Sequence, residues 1–328
     1  MIPRVAGRRG LGHTDGVTGP RSAIVVNPAK APADLRASVE RRLAEAGWPK
    51  PAWHETTPED PGRGQARAAK DAGAELIFVC GGDGTVMAVV TALAGTDVAL
   101  AVLPAGTGNL LAANLGMAGD PMTGVRVALD GGRRRIDVGV VGDQCFAVMA
   151  GIGFDAHMLA GTSERAKKRL GWLAYVIGGV KHLRDRPMRA RIVLDGGAPM
   201  PRRPRTVIVG NVGRLQGGVR LLSRADPADG KLDVAILSPN NLGHWAGLAW
   251  AVLRRRERVP LMETFTAERV EISTRRIEPR QLDGDLIEPG RSLKINIKPR
   301  ALLLCVPLPE SDPDLAYDVK AAARRASP

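Results

Sequence analysis

The chain has 328 residues, 44% hydrophobic and 25% charged, with 47 Lys and Arg against 34 Asp and Glu for a formal net charge of +13. This exceeds the ~100–150 residues of one ordinary domain, so two cores are expected, and the composition excludes wholesale disorder. The basic balance calls for anionic partners, whether phosphorylated ligands, nucleic acid or an anionic bilayer; with 3% aromatic residues and no base-stacking signature, nucleic acid is the weakest of these.

Residues 1–20 are rich in Gly and Arg, carry no apolar core, and read as a disordered lead-in rather than a secretory signal. Ala23-Ile24-Val25-Val26 is a first buried strand, running into Asn27-Pro28-Ala29-Lys30. Asp34 then opens a helix whose apolar stripe is Leu35, Val39 and Leu43, and Gly47 is placed to end it. Ala52 to Thr56 is a second strand, followed by a loop from Thr56 to Gly62 and a small helix from Gln65 to Ala72 closed by Gly73. The apolar run from Ala74 to Cys80 ends in Gly81-Gly82-Asp83-Gly84-Thr85 and opens into a helix from Val86 to Ala94. A like junction follows: the strand Val98 to Leu103, the loop Pro104-Ala105-Gly106-Thr107-Gly108-Asn109, and a helix from Leu110 to Leu115. Successive strand-loop-helix units put these loops, with Asn27-Pro28, at the carboxyl edge of one parallel sheet. Glycines there let helix N-terminal N–H groups approach a phosphate, so three converging polar loops predict a nucleotide cleft. Asp120-Pro121 starts another helix, which runs to about Leu129 and stops at Gly131-Gly132.

The pattern then changes. Arg135 to Val141, the turn Gly142-Asp143, and Cys145 to Ala150 read as a hairpin. Further strands are expected at Arg189 to Leu194, Thr206 to Val209, Leu232 to Leu237, Ala267 to Ser273 and Ser292 to Ile297. The fold class is therefore α/β, with a doubly wound domain over 21–138, an antiparallel β domain over 139–307 and a tail over 308–328.

The glycine loops are neither a Walker A motif nor a dinucleotide fingerprint, and no serine-hydrolase elbow is present. Three widely spaced cysteines argue against disulfides or zinc and suit a reducing cytoplasm. The longest apolar stretch, Leu170 to Val180, falls short of the ~20 residues that span a bilayer, so the protein is expected to be soluble or peripheral. Asp226, Asp229 and Asp233 surround a Gly turn, which reads either as oxygen ligands for a hard cation or as a plain turn. Asp283-Gly284-Asp285 is a hairpin signal whose carboxylates could also take a proton from an alcohol. Basic clusters flank the apolar segment around Trp172 and Tyr175 within 164–205, and recur over Trp245 to Arg258, which reads as a solvated face or as a bilayer-interface surface.

Taken in order over roughly 22 to 307, Asn27-Pro28, the Gly81 to Thr85 loop, Pro104 to Asn109, Gly151-Ile152-Gly153-Phe154-Asp155, Asp229-Gly230-Lys231-Leu232-Asp233 and Leu282-Asp283-Gly284-Asp285 resemble the diacylglycerol kinase-like catalytic family. That family includes bacterial lipid kinases and sphingosine and ceramide kinases, with NAD kinases more distant. The resemblance implies a Rossmann-like domain, a β-sandwich-like domain, an active site between them, and a last segment, Ala301 to Val306, that returns to the first domain. It implies ATP held by Asn27, Gly81, Gly82, Asp83, Gly84, Thr85, Gly106, Thr107, Gly108 and Asn109, with Thr57 nearby. It implies Mg²⁺ on the phosphates and a structural Mg²⁺ on Asp226, Asp229 and the carbonyl of Lys231. The proton acceptor is Asp285 or Asp283; Asp283 is expected to bond its own turn, which favours Asp285 as the base. Where the family has Ser-Gly after Asn-Pro this chain has Ala29-Lys30, so Lys30 would meet a phosphate as a point charge. Leu110-Leu111 also replaces the Asp-Phe of many diacylglycerol kinases.

The implied activity is ATP-dependent phosphorylation of diacylglycerol or a related lipid, at the inner face of an anionic membrane and without nucleic acid; a homodimer is left open. The rivals are an NAD kinase, a sphingosine or ceramide kinase, and a non-catalytic basic lipid- or nucleic-acid-binding protein.

Overall fold

The computed structural model describes residues 19–105, 109–117, 119–153, 187–213, 222, 225–239, 243–244, 247 and 261–308. The first part follows the expected alternation: β1 (Ser22–Val26), α1 (Leu35–Glu45), β2 (Ala52–Glu55), α2 (Arg63–Asp71), β3 (Leu76–Gly81), α3 (Asp83–Leu93), β4 (Ala99–Pro104), α4 (Leu110–Asn114) and α5 (Pro121–Asp130). β1, β3 and β4 are buried along their whole length, as continuous apolar runs must be when helices cover both faces of a sheet. They pair in parallel in the order β2-β1-β3-β4. α1 packs beside α5, and α2 beside α3. Leu35, Val39 and Leu43 form the buried stripe of α1, and the Asp120 side chain caps α5 by accepting the Met122 N–H at 2.9 Å. α5 lies close on β4 because Gly124 has no side chain: a Cβ there would stand 2.0 Å from the Val102 carbonyl oxygen.

The second part comprises β5 (Gly132–Val141), β6 (Gln144–Phe146), β7 (Met149–Gly153), β8 (Ala190–Leu194), β9 (Met200–Arg202), β10 (Thr206–Gly210), β11 (Leu232–Leu237), β12 (Met262–Ala267), β13 (Arg269–Leu282) and β14 (Asp285–Val306). β12, β11, β10, β7, β13 and β14 follow one another in antiparallel register. Its core is built on Phe146, Ile152, Ile192, Val207, Val234, Val270, Leu282 and Ile295. A larger core occupies the first part and takes in Val148, Ala235, Leu302 and Leu304 from the second. Fully burying each large side chain contributes about 1.5–3 kcal/mol.

β14 joins the two parts. Over 22 residues it pairs first with β13, then with β5, and finally runs parallel to β4 through Leu303 and Leu304. The return of Ala301 to Val306 to the first sheet is thus present in the structure.

Three expectations need correction. Cys145 to Ala150 is not one strand but β6 and β7 with a break at Ala147 and Val148, whose N–H groups are taken by a side chain described below. The segment Ala267 to Ser273 straddles the end of β12 and the start of the much longer β13, and Ser292 to Ile297 is part of the much longer β14. Short β9, and β12 with its half-polar face, escape the apolar-alternation signal. All three cysteines are free and buried, and burial pushes the Cys80 thiol up to about 12.

Candidate active site

The carboxyl ends of β1, β3 and β4 release the chain side by side. At β1, the Asn27 N–H donates to the Cys80 carbonyl at 2.8 Å, and its side-chain Oδ1 accepts the Ala29 N–H at 3.0 Å, shaping the turn that presents Lys30. At β3, Gly81 and Gly82 deliver the chain to α3, with Gly82 as the extended N-cap. A Cβ on Gly81 would collide with the buried Thr85 side chain, 2.6 Å from its Cβ. A Cβ on Gly82 would lie 2.5 Å from the Lys30 Nζ, so the lysine ammonium stands over the helix N-terminus. That end of a helix already favours anions, and Lys30 adds a full positive charge to it.

Asp83 and Asn109 tie the two glycine loops together. Asp83 Oδ1 accepts the Leu110 N–H at 2.6 Å, and Asn109 Nδ2 donates to the Gly81 carbonyl at 3.3 Å. Asn109 adopts φ 29°, and its buried Oδ1 has no hydrogen-bond partner among the described residues. A buried acceptor left open at a loop junction is a place for a ligand donor. Gly106, Thr107 and Gly108 lie outside the described residues. Thr57 is exposed, and its Oγ1 accepts the Asp60 N–H at 3.2 Å, a turn contact.

The opposite wall comes from the turn between β13 and β14. Asp283, at φ 47° and 4% exposed, accepts the N–H groups of Ala147, Val148 and Met149, each at 2.8 Å. It therefore bonds the β6–β7 break and not its own turn, as had been expected; the turn's Gly284 N–H goes to Gln281 Oε1 at 2.8 Å. Asp285 instead faces the Gly81 to Thr85 loop, since a Cβ on Gly84 would stand 2.6 Å from its Oδ2. Asp83, Asp283 and Asp285 thus lie close enough for their charges to act on one another. Burial, then the Asp285 and Asp283 charges, push the Asp83 carboxyl up to about 7, while the Leu110 N–H and Lys30 pull the other way. Burial pushes Asp283 up to about 6 against its three N–H bonds. Clustered carboxyl groups with raised pKa values are typical of reaction sites.

The Asp226 to Lys231 turn does not offer a ready cation site. Asp226 Oδ1 accepts from the Arg134 guanidinium at 3.1 Å and from the Ala228 N–H at 3.1 Å, and Asp229 Oδ1 accepts the Lys231 N–H at 2.9 Å. A divalent ion on Asp226 would face the guanidinium charge directly. Among the described residues no group of three metal-ligating side chains is present. The turn is fastened instead through fully buried Asp137, which accepts the Gly230 N–H at 2.7 Å and the Arg300 N–H at 2.6 Å. Asp229 is held above the usual carboxylate range by burial, with Asp226 and Asp137 adding to it. Asp226 is thus engaged by Arg134 and by its own turn.

The role of Asp137, the Ala147 to Met149 cradle under Asp283 and the bond from Gln281 went unread in the sequence. Backbone N–H donors carry no residue-type signal, and Asp137 looks like any strand residue. Of the two basic segments suspected of meeting a bilayer, 164–205 and 245–258, residues 164–186 and all of 245–258 except 247 lie outside the described residues, as do Phe154 and Asp155, and in the described part Arg202 pairs with Glu263. No helix among the described residues is long and apolar enough to cross a membrane.

Comparison with known proteins agrees with this arrangement. Residues 21–141 match the diacylglycerol kinase catalytic domain, and residues 147–306 match the YegS C-terminal NAD kinase beta sandwich-like domain. A probable lipid kinase YegS-like protein of Chromohalobacter salexigens is 32% identical over 251 residues, 74% of this chain and 79% of that one. The chain belongs to this lipid kinase family. A diacylglycerol kinase of Mycobacterium tuberculosis is 33% identical to the kinase over 176 residues, 52% of this chain and 57% of its own. In fold, the kinase resembles the crystal structure of a putative diacylglycerol kinase from Bacillus anthracis, with a TM-score of 0.70 at 20% identity over 88% of this chain and 97% of that one.

Proposed function

We propose that this lipid kinase transfers the γ-phosphoryl group of ATP to the hydroxyl of diacylglycerol or a closely related lipid. The observation that carries the reading is the approach of Asp285 to Gly84, which sets a carboxylate of the β domain against the phosphate-type loop of the α/β domain. Phosphoryl transfer requires little covalent work from a protein; it requires positioned phosphates, neutralised charge and a hydroxyl aimed in line. The N-terminus of α3 and Lys30 hold the phosphates. Asn109 Oδ1 accepts from the nucleotide, and Asp285 accepts the lipid hydroxyl proton. Asp283, spent on three N–H groups, fixes the turn that aims Asp285. Mg²⁺ arriving on the nucleotide would supply charge neutralisation, with Asp83 in the loop as a protein oxygen donor.

The fold alone suits an NAD kinase as well, but the sequence relatives are named for lipid substrates. The test is phosphate transfer from labelled ATP to diacylglycerol, monoacylglycerol, sphingosine, ceramide and NAD, with Gly82→Asp as the loop-blocked control. Label in diacylglycerol that disappears in the folded control supports the reading. Label in NAD alone, or equal turnover by Gly82→Asp, overturns it.

A further inference from the structure

β13 changes neighbours part-way along: Val270 to Thr274 pair with β8, whereas Arg280 to Leu282 pair with β7. At the change its register with β14 jumps from Ser273↔Ser292 to Glu278↔Gly290, so residues 274–277 stand out as a bulge. A bulge is a common way for a strand to turn a corner between partners. This one is well braced. Thr274 Oγ1 donates to the Arg276 carbonyl at 2.7 Å, and the Arg280 guanidinium lies along the hairpin, donating to the Glu288 and Ser292 carbonyls.

The corner explains the extra residues but not their chemistry. At its tip are Arg275, Arg276 and Ile277, the isoleucine 64% exposed, the most of any large hydrophobic side chain among the described residues. Leu286, 48% exposed, and Arg291 lie on the facing strand of the same hairpin. Among the described residues none of Arg275, Arg276 and Arg291 is held in an ion pair. A polar residue at 277 would satisfy a mere corner, and the neighbouring carboxylate of half-buried Glu278 acts on Arg276 without forming an ion pair with it. An exposed isoleucine beside two exposed arginines on a rigid support is instead suited to a surface that is anionic outside and apolar just beneath.

We infer that this bulged corner docks on an anionic lipid bilayer, with Arg275, Arg276 and Arg291 on the headgroups and Ile277 entering the boundary below them. The purpose of the contact rests on the lipid-substrate reading above. The hairpin that carries the corner also carries Asp285 at its turn, so docking would bring the proton acceptor to the membrane that holds the substrate. Attraction of arginines to anionic headgroups is screened by salt, and each basic residue strengthens it measurably.

The test uses the full chain with vesicles of phosphatidylcholine alone or mixed with phosphatidylglycerol, comparing the native protein, Arg275→Gln/Arg276→Gln and Ile277→Asp. All three should melt alike. The native protein should sediment with the anionic vesicles and release as salt is raised, and both variants should lose about tenfold in partitioning. Their turnover of vesicle-borne diacylglycerol should fall in step, while turnover of a short-chain diacylglycerol dispersed in solution should not change. Native protein that ignores anionic vesicles, or variants that partition as well as it does, would overturn the inference. So would variants that keep vesicle binding but change molecular mass by light scattering, since the patch would then cover a second copy. If salt-sensitive docking holds but no lipid is phosphorylated, the substrate reading fails and the dock stands.

Discussion

The carboxylate of Asp285 and the α-carbon of Gly84 are close enough that a methyl group on the glycine would lie 2.6 Å from Oδ2. Gly84→Ala should therefore push the Asp285 side chain off its position while leaving α3 intact, since alanine favours a helix. Displacements on the order of 1 Å can cost about 10²-fold in rate. Turnover should fall by that order. Asp285→Asn should lose ~10²–10⁴-fold, the usual contribution of a general base. Steady-state kinetics on both proteins checks this, and near-native kcat in Asp285→Asn would remove Asp285 from the chemistry.

Asp283 plays a different part. Removing its carboxylate leaves the N–H groups of Ala147, Val148 and Met149 buried and unmet, at about 1–3 kcal/mol for each such group. Asp283→Ala should lower the melting temperature far more than Asp285→Ala. A thermal melt distinguishes them, and equal Tm values would show that the cradle does not depend on this side chain.

The raised carboxyl of Asp83 makes stability depend on pH. With its folded pKa near 7 and a reference value of 3.8, the native state binds this proton more tightly than the unfolded chain does. Between those two values native Asp83 stays protonated while the unfolded residue ionises, so its contribution to stability declines as pH rises and is fully lost above about 7. Asp283 acts in the same direction over a narrower window, up to about 6. Asp83→Asn should flatten the fall in Tm from pH 5 to pH 8 relative to the native protein, as followed by calorimetry. An unchanged slope would mean Asp83 is ionised throughout.

At the Asp226 turn, Arg134 should do what a metal would do elsewhere. Exhaustive dialysis against EDTA should leave Tm unchanged. Arg134→Met should lower it slightly, since a half-exposed ion pair contributes about 1 kcal/mol or less. Elemental analysis that finds one tightly held divalent ion per chain, with Tm falling on its removal, would refute this.

Much of the fold was legible because its strongest signals are apolar runs ending in glycine. Leu76 to Cys80 and Ala99 to Leu103 could only be buried strands, and the glycines after β3 announced both the loop and the helix that follows. The Asp283 to Asp285 turn was legible as a turn. Which carboxylate faces the cleft was argued from turn chemistry, and the premise failed because Asp283's donors come from 134 to 136 residues away. Long-range backbone contacts of this kind leave no local trace. β14 showed the same limit: Ser292 to Ile297 was visible as a strand, but nothing local revealed that one strand runs from the antiparallel part into the parallel part of a single sheet.

That shared strand also sets an order on synthesis. β1 to β4 leave the ribosome early, yet the far side of β4 gains its parallel neighbour only when Leu303 and Leu304 have emerged. Until then β4 is an open edge of an unfinished sheet, a surface that invites wrong pairing. Pairing across some two hundred residues is slow, because loop closure precedes the reward. The Gly81 to Thr85 loop at the end of β3 is therefore assembled on a sheet that stays incomplete through most of translation. A nascent chain stalled before residue 303 should be sensitive to protease and bound by chaperones, whereas one released past 306 should become resistant in a single step.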